Sequence, residues 1–455
     1  MLGELYSSAF AVSAFNWECA PAVTELEIIV MDWLAKMLHL PSCYLSSEHG
    51  GGIIQGTTSE AILSLMVAAR EKHLHANTAH LSGYEKDEVI AHRKLRMVVL
   101  ASEAAHSCTQ KAALILGIQY RSVPVYSEDG FSMTGAALAS TIWQCRQEGL
   151  EPFYLTATLG TTATCAVDKL DEIAQVAKGC QIWVHVDAAY AGAALVCEEY
   201  QHLTRDLAAF DSFSFSMSKW LLTNIDAVCC FVKNPHHLID AMSITPSYLR
   251  SDPSESGEAV DFRNWGVPLS RRFRALKIWF VIRTYGVKGL TSYIRKHIKL
   301  GNLFASLIAS RPDLFRIVTK PDYALTVISI DPRMPPVFRK FLDVIANESA
   351  RTRNTSFGNV APKFNKTQPH NNKLLNTNEP SGKCVEDWIT QYTNMITKEV
   401  MDLINQRGEL MLTGTIAGDA FVIRVNGANP NTEEKHLRNA FEILVKTAEE
   451  VLGLA

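Results

Sequence analysis

Between residues 97 and 232 short apolar runs alternate with helical stretches, and this alternation restricts the possible folds more than any other feature of the chain. Met97-Val98-Val99-Leu100, Tyr154-Leu155-Thr156-Ala157-Thr158 and Ile182-Trp183-Val184-His185-Val186 read as buried strands. Cys108 to Leu116 and Leu170 to Lys178 read as helices between them. Ser212-Phe213-Ser214-Phe215 and Ala227 to Val232 are further strands, close enough in sequence to pair as a hairpin. Such alternation predicts an α/β fold, a mostly parallel sheet covered by helices.

The rest of the chain fits around that sheet. Its 455 residues exceed one ordinary domain, and 47% hydrophobic residues suffice for a large core. We expect a large domain over 1–305 and a smaller α+β domain over 306–455. Lys plus Arg is 44 against 47 for Asp plus Glu, and a net charge of −3 argues against a nucleic-acid binder. No apolar run reaches the roughly 18 residues of a membrane span. The ten cysteines show no CxxC spacing, Met1 leads straight into helix-like Leu2 to Tyr6 without a charged leader, and a reducing cytosol is the expected compartment. A helix from Ala22 to Leu38 is expected to turn Leu26, Ile29, Val30, Trp33, Leu34 and Met37 inward. Arg271 to Tyr285 and Leu290 to Leu307 read as helices, as does Glu433 to Leu452 after a strand at Ala420 to Val425. Residues 347–383 are rich in Asn, Lys, Thr and Pro and read as a surface insertion.

In open α/β sheets, ligands bind beyond the carboxyl ends of the strands. His106 follows the first strand, Gly160-Thr161-Thr162 the second, Asp187 the third, and Ser216-Met217-Ser218-Lys219 the fourth. A glycine-rich turn and helix start at Gly56-Thr57-Thr58-Ser59 offers free backbone N–H groups to an anion. Each feature alone is ordinary: a lysine after a strand is usually solvated, and an aspartate there usually caps a helix. Together they match one cofactor. Pyridoxal 5′-phosphate needs a lysine for its aldehyde, a carboxylate against its pyridinium nitrogen, a phosphate site and a planar group on the ring face. Lys219, Asp187, Gly56 to Ser59 and His106 fill these needs in turn.

Longer segments carry a resemblance. Phe15-Asn16-Trp17, Pro21 to Glu27, Gly50 to Gly56, His185 to Gly192, Lys219-Trp220-Leu221-Leu222 and Pro268 to Lys277 are similar to the group II pyridoxal-phosphate decarboxylases, in the aromatic-L-amino-acid branch. The resemblance is dense over residues 2–305. It implies the aspartate-aminotransferase-like fold type I and decarboxylation of Trp, Tyr, Phe or Dopa to the amine. Lys219 would then be the Schiff-base lysine and Asp187 the pyridinium partner, with His106 stacked on the ring, Thr162 near its hydroxyl and Ala189 on the opposite face. Thr58, Ser59 and Ser216 would lie near the phosphate, approached by Leu269 and Ser270 of a second subunit, which makes the expected state a homodimer. Tyr248 would be the proton donor, on a loop with Ser251 to Gly257 as a closing lid. The partners implied are a small amino acid and a second copy, with no metal, nucleic acid or membrane.

Three departures from the family pattern stand out. Ser216-Met217-Ser218 replaces the usual Asn-Pro-His, so Ser218 supplies a hydroxyl where an imidazole is common. Ser270 replaces a glycine. Family members carry a long segment before the equivalent of Leu2 that swaps across the dimer, and without it exposed apolar surface and an incomplete pocket are expected. Two alternatives therefore stay open: an impaired or inactive member with a binding role, and an aldehyde-forming or other α-decarboxylase.

Overall fold

The computed structural model describes residues 2–10, 12–244, 259–331 and 385–454. They fall into two compact units. The first comprises Met1–Asn302 with Thr319–Leu325 and Asn426–Glu433, and the second Leu303–Val318, Thr326–Val425 and Glu434–Ala455.

The first unit holds a seven-stranded sheet: β1 (Gly51–Gln55), β2 (Met97–Ser102), β3 (Gln119–Val123), β4 (Glu151–Thr158), β5 (Trp183–Asp187), β6 (Ser212–Ser216) and β7 (Val228–Val232), in the order β1-β7-β6-β5-β4-β2-β3. β2 runs parallel to β3 and β4, β4 to β5, and β5 to β6. β7 is antiparallel to both β6 and β1, so β1 points the same way as β6. The expected hairpin is thus the β6–β7 pair. β2, β5, β6 and β7 are buried along their whole length, the signature of a sheet covered on both faces. The unit's helices include α1 (Leu2–Ala9), α2 (Pro21–Met37), α3 (Thr58–Thr78), α4 (Gly83–Arg96), α5 (Cys108–Ile115), α6 (Gly135–Gln147) and α7 (Leu170–Lys178). The two helices expected after Arg271 are one element, Arg274–Ala309, interrupted at Gly286, whose φ of 61° only glycine adopts cheaply.

α2 turns a different face inward from the one its apolar residues suggest. Ile29 is 43% and Trp33 36% exposed, while Glu27 is fully buried. The reason is a charge pair. Arg271 Nη2 and Nη1 donate to the two Glu27 carboxylate oxygens at 2.6 and 2.9 Å, and Ile54 N–H donates to Glu27 at 2.8 Å. A buried carboxylate held this way is tolerated, and breaking such a pair costs on the order of 3–5 kcal/mol. The pair ties α2, edge strand β1 and the segment before the long helix into one block.

The second unit carries a four-stranded sheet of Phe315–Ile317, Leu325–Ile330, Thr413–Ala417 and Ala420–Asn426, with helices Val385–Arg407 and Glu434–Leu452. Its outer pairs are antiparallel. A mostly parallel sheet in one unit and a smaller α+β unit is the architecture the sequence implied.

β5 places a histidine inside the sheet core. His185 is fully buried, with Nδ1 3.0 Å from Ser212 Oγ and Nε2 3.2 Å from Ser214 Oγ. Burial lowers its pKa from 6.5 to about 3, so it is neutral at working pH. Between those two values the unfolded chain binds the additional proton, and acid therefore favours unfolding. We expect stability to fall as the pH drops from about 6.5 toward 3, by up to about 1.4 kcal/mol per pH unit from this residue. Denaturant unfolding of the native protein and His185→Gln at pH 7 and pH 5 checks this. The variant should show the shallower pH dependence, and equal slopes would contradict the assignment.

Candidate active site

The strand registers bring the candidate residues to one edge of the sheet. Gln55 and Ser216 both pair with Val228, Ser214 pairs with Asp187, and Asp187 pairs with Thr158. The segments that follow β1, β4, β5 and β6 therefore emerge side by side, joined by the loop after β2.

Asp187 is the centre of this edge. It ends β5 and is 4% exposed. Its Oδ1 accepts the N–H of Ala189 at 2.9 Å, and its second oxygen meets no donor among the described residues. Burial raises its pKa, opposed first by the positive charge of Lys219, then by the Ala189 N–H and by His106. Lys219 and His106 thus share one electrostatic neighbourhood with the carboxylate. The loop that holds Asp187 is tightly fitted. Gly160 has φ +89°, and a Cβ there would come within 2.4 Å of the Ala191 Cβ. Ala189 is buried in this loop.

Lys219 sits in a four-residue helix, α8 (Met217–Trp220), directly after β6. It is exposed and makes no hydrogen bond or ion pair among the described residues, which leaves its amine available for an aldehyde. His106 is exposed in the turn after β2, and its Nδ1 accepts the Cys108 N–H at 3.2 Å. That bond fixes the ring. Cys108 itself is inert, since burial pushes its thiol up to about 12.

The turn before α3 is built to receive an anion. Thr57 is the N-cap, its Oγ1 accepting the Glu60 N–H at 3.2 Å, and Glu60 accepts the Gly56 N–H at 2.9 Å. By helix geometry the N–H groups of Thr58 and Ser59 have no acceptor in their own helix. Gly56 leaves room that a side chain would fill, because a Cβ there would lie 2.6 Å from Glu60 Oε2 and 3.6 Å from Arg274 Nη2. Arg274 is thus a cation beside the cradle that sequence reasoning did not single out. It donates to Asp226 at 2.8 Å, and its buried Nε has no acceptor among the described residues. At the end of β6, Ser216 Oγ and Ser218 Oγ bond each other at 2.9 Å. A buried carboxylate with an open oxygen, an amine and an anion cradle at one sheet edge are the donor set a pyridoxal phosphate requires.

The remaining candidates are placed less tightly. Thr162 is exposed in the loop after β4. Thr158, which closes that strand, is held by Asp168, whose oxygens accept the N–H groups of Met133 and Thr158, each at 2.7 Å. The Ala166-Val167-Asp168 turn gave no sequence signal for this role. Leu269 and Ser270 are exposed, and no hydrogen bond joins them to Asp187, Lys219 or the α3 turn. Tyr248, the 251–257 lid and the 347–383 insertion lie outside the described residues.

Comparison with known proteins gives this geometry its context. Residues 1–330 match the family model described as the pyridoxal-dependent decarboxylase conserved domain. Tyrosine/DOPA decarboxylase 2 of Papaver somniferum is 35% identical over 455 residues, covering 99% of this chain and 78% of that protein. Phenylacetaldehyde synthase of a Rosa hybrid cultivar is 36% identical over 456 residues, with the same coverage of 99% and 78%. The crystal structure of Oryza sativa TDC with PLP and tryptamine superposes with a TM-score of 0.82 at 32% identity, covering 99% of this chain and 81% of that one. The sheet order and these similarities together establish that the chain belongs to the pyridoxal-dependent decarboxylase family.

Proposed function

We propose that this protein decarboxylates an aromatic L-amino acid to the corresponding amine and carbon dioxide. The observation that carries the reading is the buried Asp187 carboxylate at the end of β5, close enough to Lys219 after β6 to be influenced by its charge. Relatives whose names specify tyrosine, DOPA and phenylacetaldehyde, and a structure solved with tryptamine, supply the substrate class.

Bound pyridoxal phosphate supplies an aldehyde for the substrate amine and a ring that takes up the electron pair left when carbon dioxide departs. The residues of this chain do the rest. Lys219 would bind the cofactor aldehyde when no substrate is present. Asp187 would keep a proton on the ring nitrogen, and in return gain a positive partner for a charge that burial disfavours. His106, Ala189 and Thr162 would hold the ring. The N–H groups of Thr58 and Ser59, with the Ser216 and Ser218 hydroxyls, would hold the phosphate. Tyr248 delivers a proton to the substrate α-carbon, as general acid.

A homodimer completes the site in this reading. Leu269, 49% exposed, and Ser270 project from a segment anchored by the Arg271–Glu27 pair, and we assign them to the phosphate of a second copy. We assign the cofactor to a large domain over 1–305 and the small-domain role to 306–455. The cytosol is the proposed compartment, because no disulfide joins the described cysteines. No helix among the described residues is long and apolar enough to cross a membrane.

The aldehyde-forming reading is favoured by the similarity to the Rosa synthase, whereas the identity of residue 248 as tyrosine favours the amine. Two experiments decide. With pyridoxal phosphate added, Trp, Tyr, Phe and Dopa are assayed for carbon dioxide release. Asp187→Ala should retain less than about a tenth of the rate, and a larger residue would contradict the role of the carboxylate. In the second, run in air, Tyr248→Phe should shift product from the amine toward aldehyde, ammonia and hydrogen peroxide, with dioxygen and water consumed and carbon dioxide released on either route, while the cofactor stays bound. An unchanged product ratio would remove Tyr248 from the proton step.

A further inference from the structure

Behind Lys219 lies a connected set of rings that the reaction itself does not use. Trp220 follows Lys219 directly, and Tyr190 lies in the loop that Asp187 opens. Their rings stack with centroids 4.9 Å apart and planes within 9°. The polar end of each ring is tied down. The Tyr190 hydroxyl donates to the Tyr323 carbonyl at 2.6 Å. Trp220 Nε1–H donates to His297 Nδ1 at 3.2 Å. His297 stands on the long helix, is fully buried, and meets the Tyr293 ring edge-on at 4.4 Å. An indole nitrogen can only donate, so Nδ1 of His297 carries no proton and the imidazole is neutral. Burial favours the same state, lowering its pKa to about 4.

Lys219 needs such an anchor. α8 has four residues, and a helix this short does not hold its own geometry. At its end Leu221 N–H donates to the Met217 carbonyl at 3.0 Å. The next residue, Trp220, is 1% exposed and is the largest fully buried side chain nearby. Whatever fixes that indole fixes the backbone that carries the amine. Because the indole lies flat on Tyr190, it also fixes the lysine relative to the aspartate loop.

We propose that Trp220 and Tyr190 form a clasp that sets the spacing between Lys219 and Asp187, and that His297 is the positioning residue that locks it through the indole N–H. This rests on the roles of Lys219 and Asp187 proposed above. A displacement of even about 1 Å at a reacting group is costly, which makes a rigid lock valuable at this point.

The test uses holoenzymes reconstituted with pyridoxal phosphate: the native protein, H297L, H297N, W220F and the H297L/W220F double variant. Each is measured below its own melting midpoint for the visible band of the lysine-bound cofactor, kcat and KM. His297→Leu removes the acceptor at similar bulk, and His297→Asn restores one. We expect H297L and W220F each to lose about tenfold in kcat, the scale of one neutral hydrogen bond, with KM changed by less than about twofold. H297L should also shift the visible band, H297N should keep the native band and most of the rate, and the double variant should be no worse than either single one. Equal losses in H297N and H297L would overturn the lock, as would losses that multiply in the double variant, or a native kcat in H297L. A native holoenzyme without any Lys219-dependent band would overturn the site reading and the clasp with it. A native band combined with any of the other contrary results overturns the clasp alone.

Discussion

A carboxylate out of water must find positive charge, and in this protein that requirement falls on Asp187. It is buried at the end of an interior strand, takes one backbone N–H, and is balanced mainly by Lys219, with a smaller contribution from His106. Ionised carboxylates in such places are expensive unless compensated. In the proposed role of Asp187, a protonated ring nitrogen would compensate it directly, and the same carboxylate would make the ring an electron acceptor.

Most of the first unit serves to hold that group still. The parallel sheet delivers successive loops to one edge, and close approaches leave them little freedom. Gly192 is packed so tightly that a Cβ would lie 2.8 Å from both Ala188 and Phe215. Beneath the site, His185 and the serines of β6 form a buried polar row, with Trp183 Nε1–H donating to Ser212 Oγ at 2.9 Å. At the outer edge the Glu27–Arg271 pair pins β1, and hence the turn before α3 that follows it. These contacts are polar and geometrically demanding, which suits a site whose chemistry depends on orientation.

Interior elements could be read from the sequence because burial on both faces leaves nearly continuous apolar runs. β4 and β5 begin or end within a few residues of the expected limits, and α7 matches them. The edges were harder. β1 opens with two glycines, which weaken a strand locally. It forms because it pairs with β7, and a Cβ at Gly52 would meet Met31 at 2.5 Å. β3, Gln119–Val123, is polar and half exposed and has no apolar pattern to find. The inward face of α2 departs from its hydrophobic pattern because hydrophobicity cannot foresee that Glu27 will be neutralised by an arginine 244 positions away. At the site, the residues on strand ends were visible one by one. The partners that fix them, Arg274, Asp168, Tyr190 and His297, are brought in only by the tertiary fold.

The account stands on one covalent position. Borohydride reduction of the holoenzyme followed by digestion and mass spectrometry would fix the pyridoxyl group wherever the aldehyde was held. The account predicts a single modified peptide carrying the group on Lys219. Modification at another lysine, or none in protein saturated with cofactor, would contradict it.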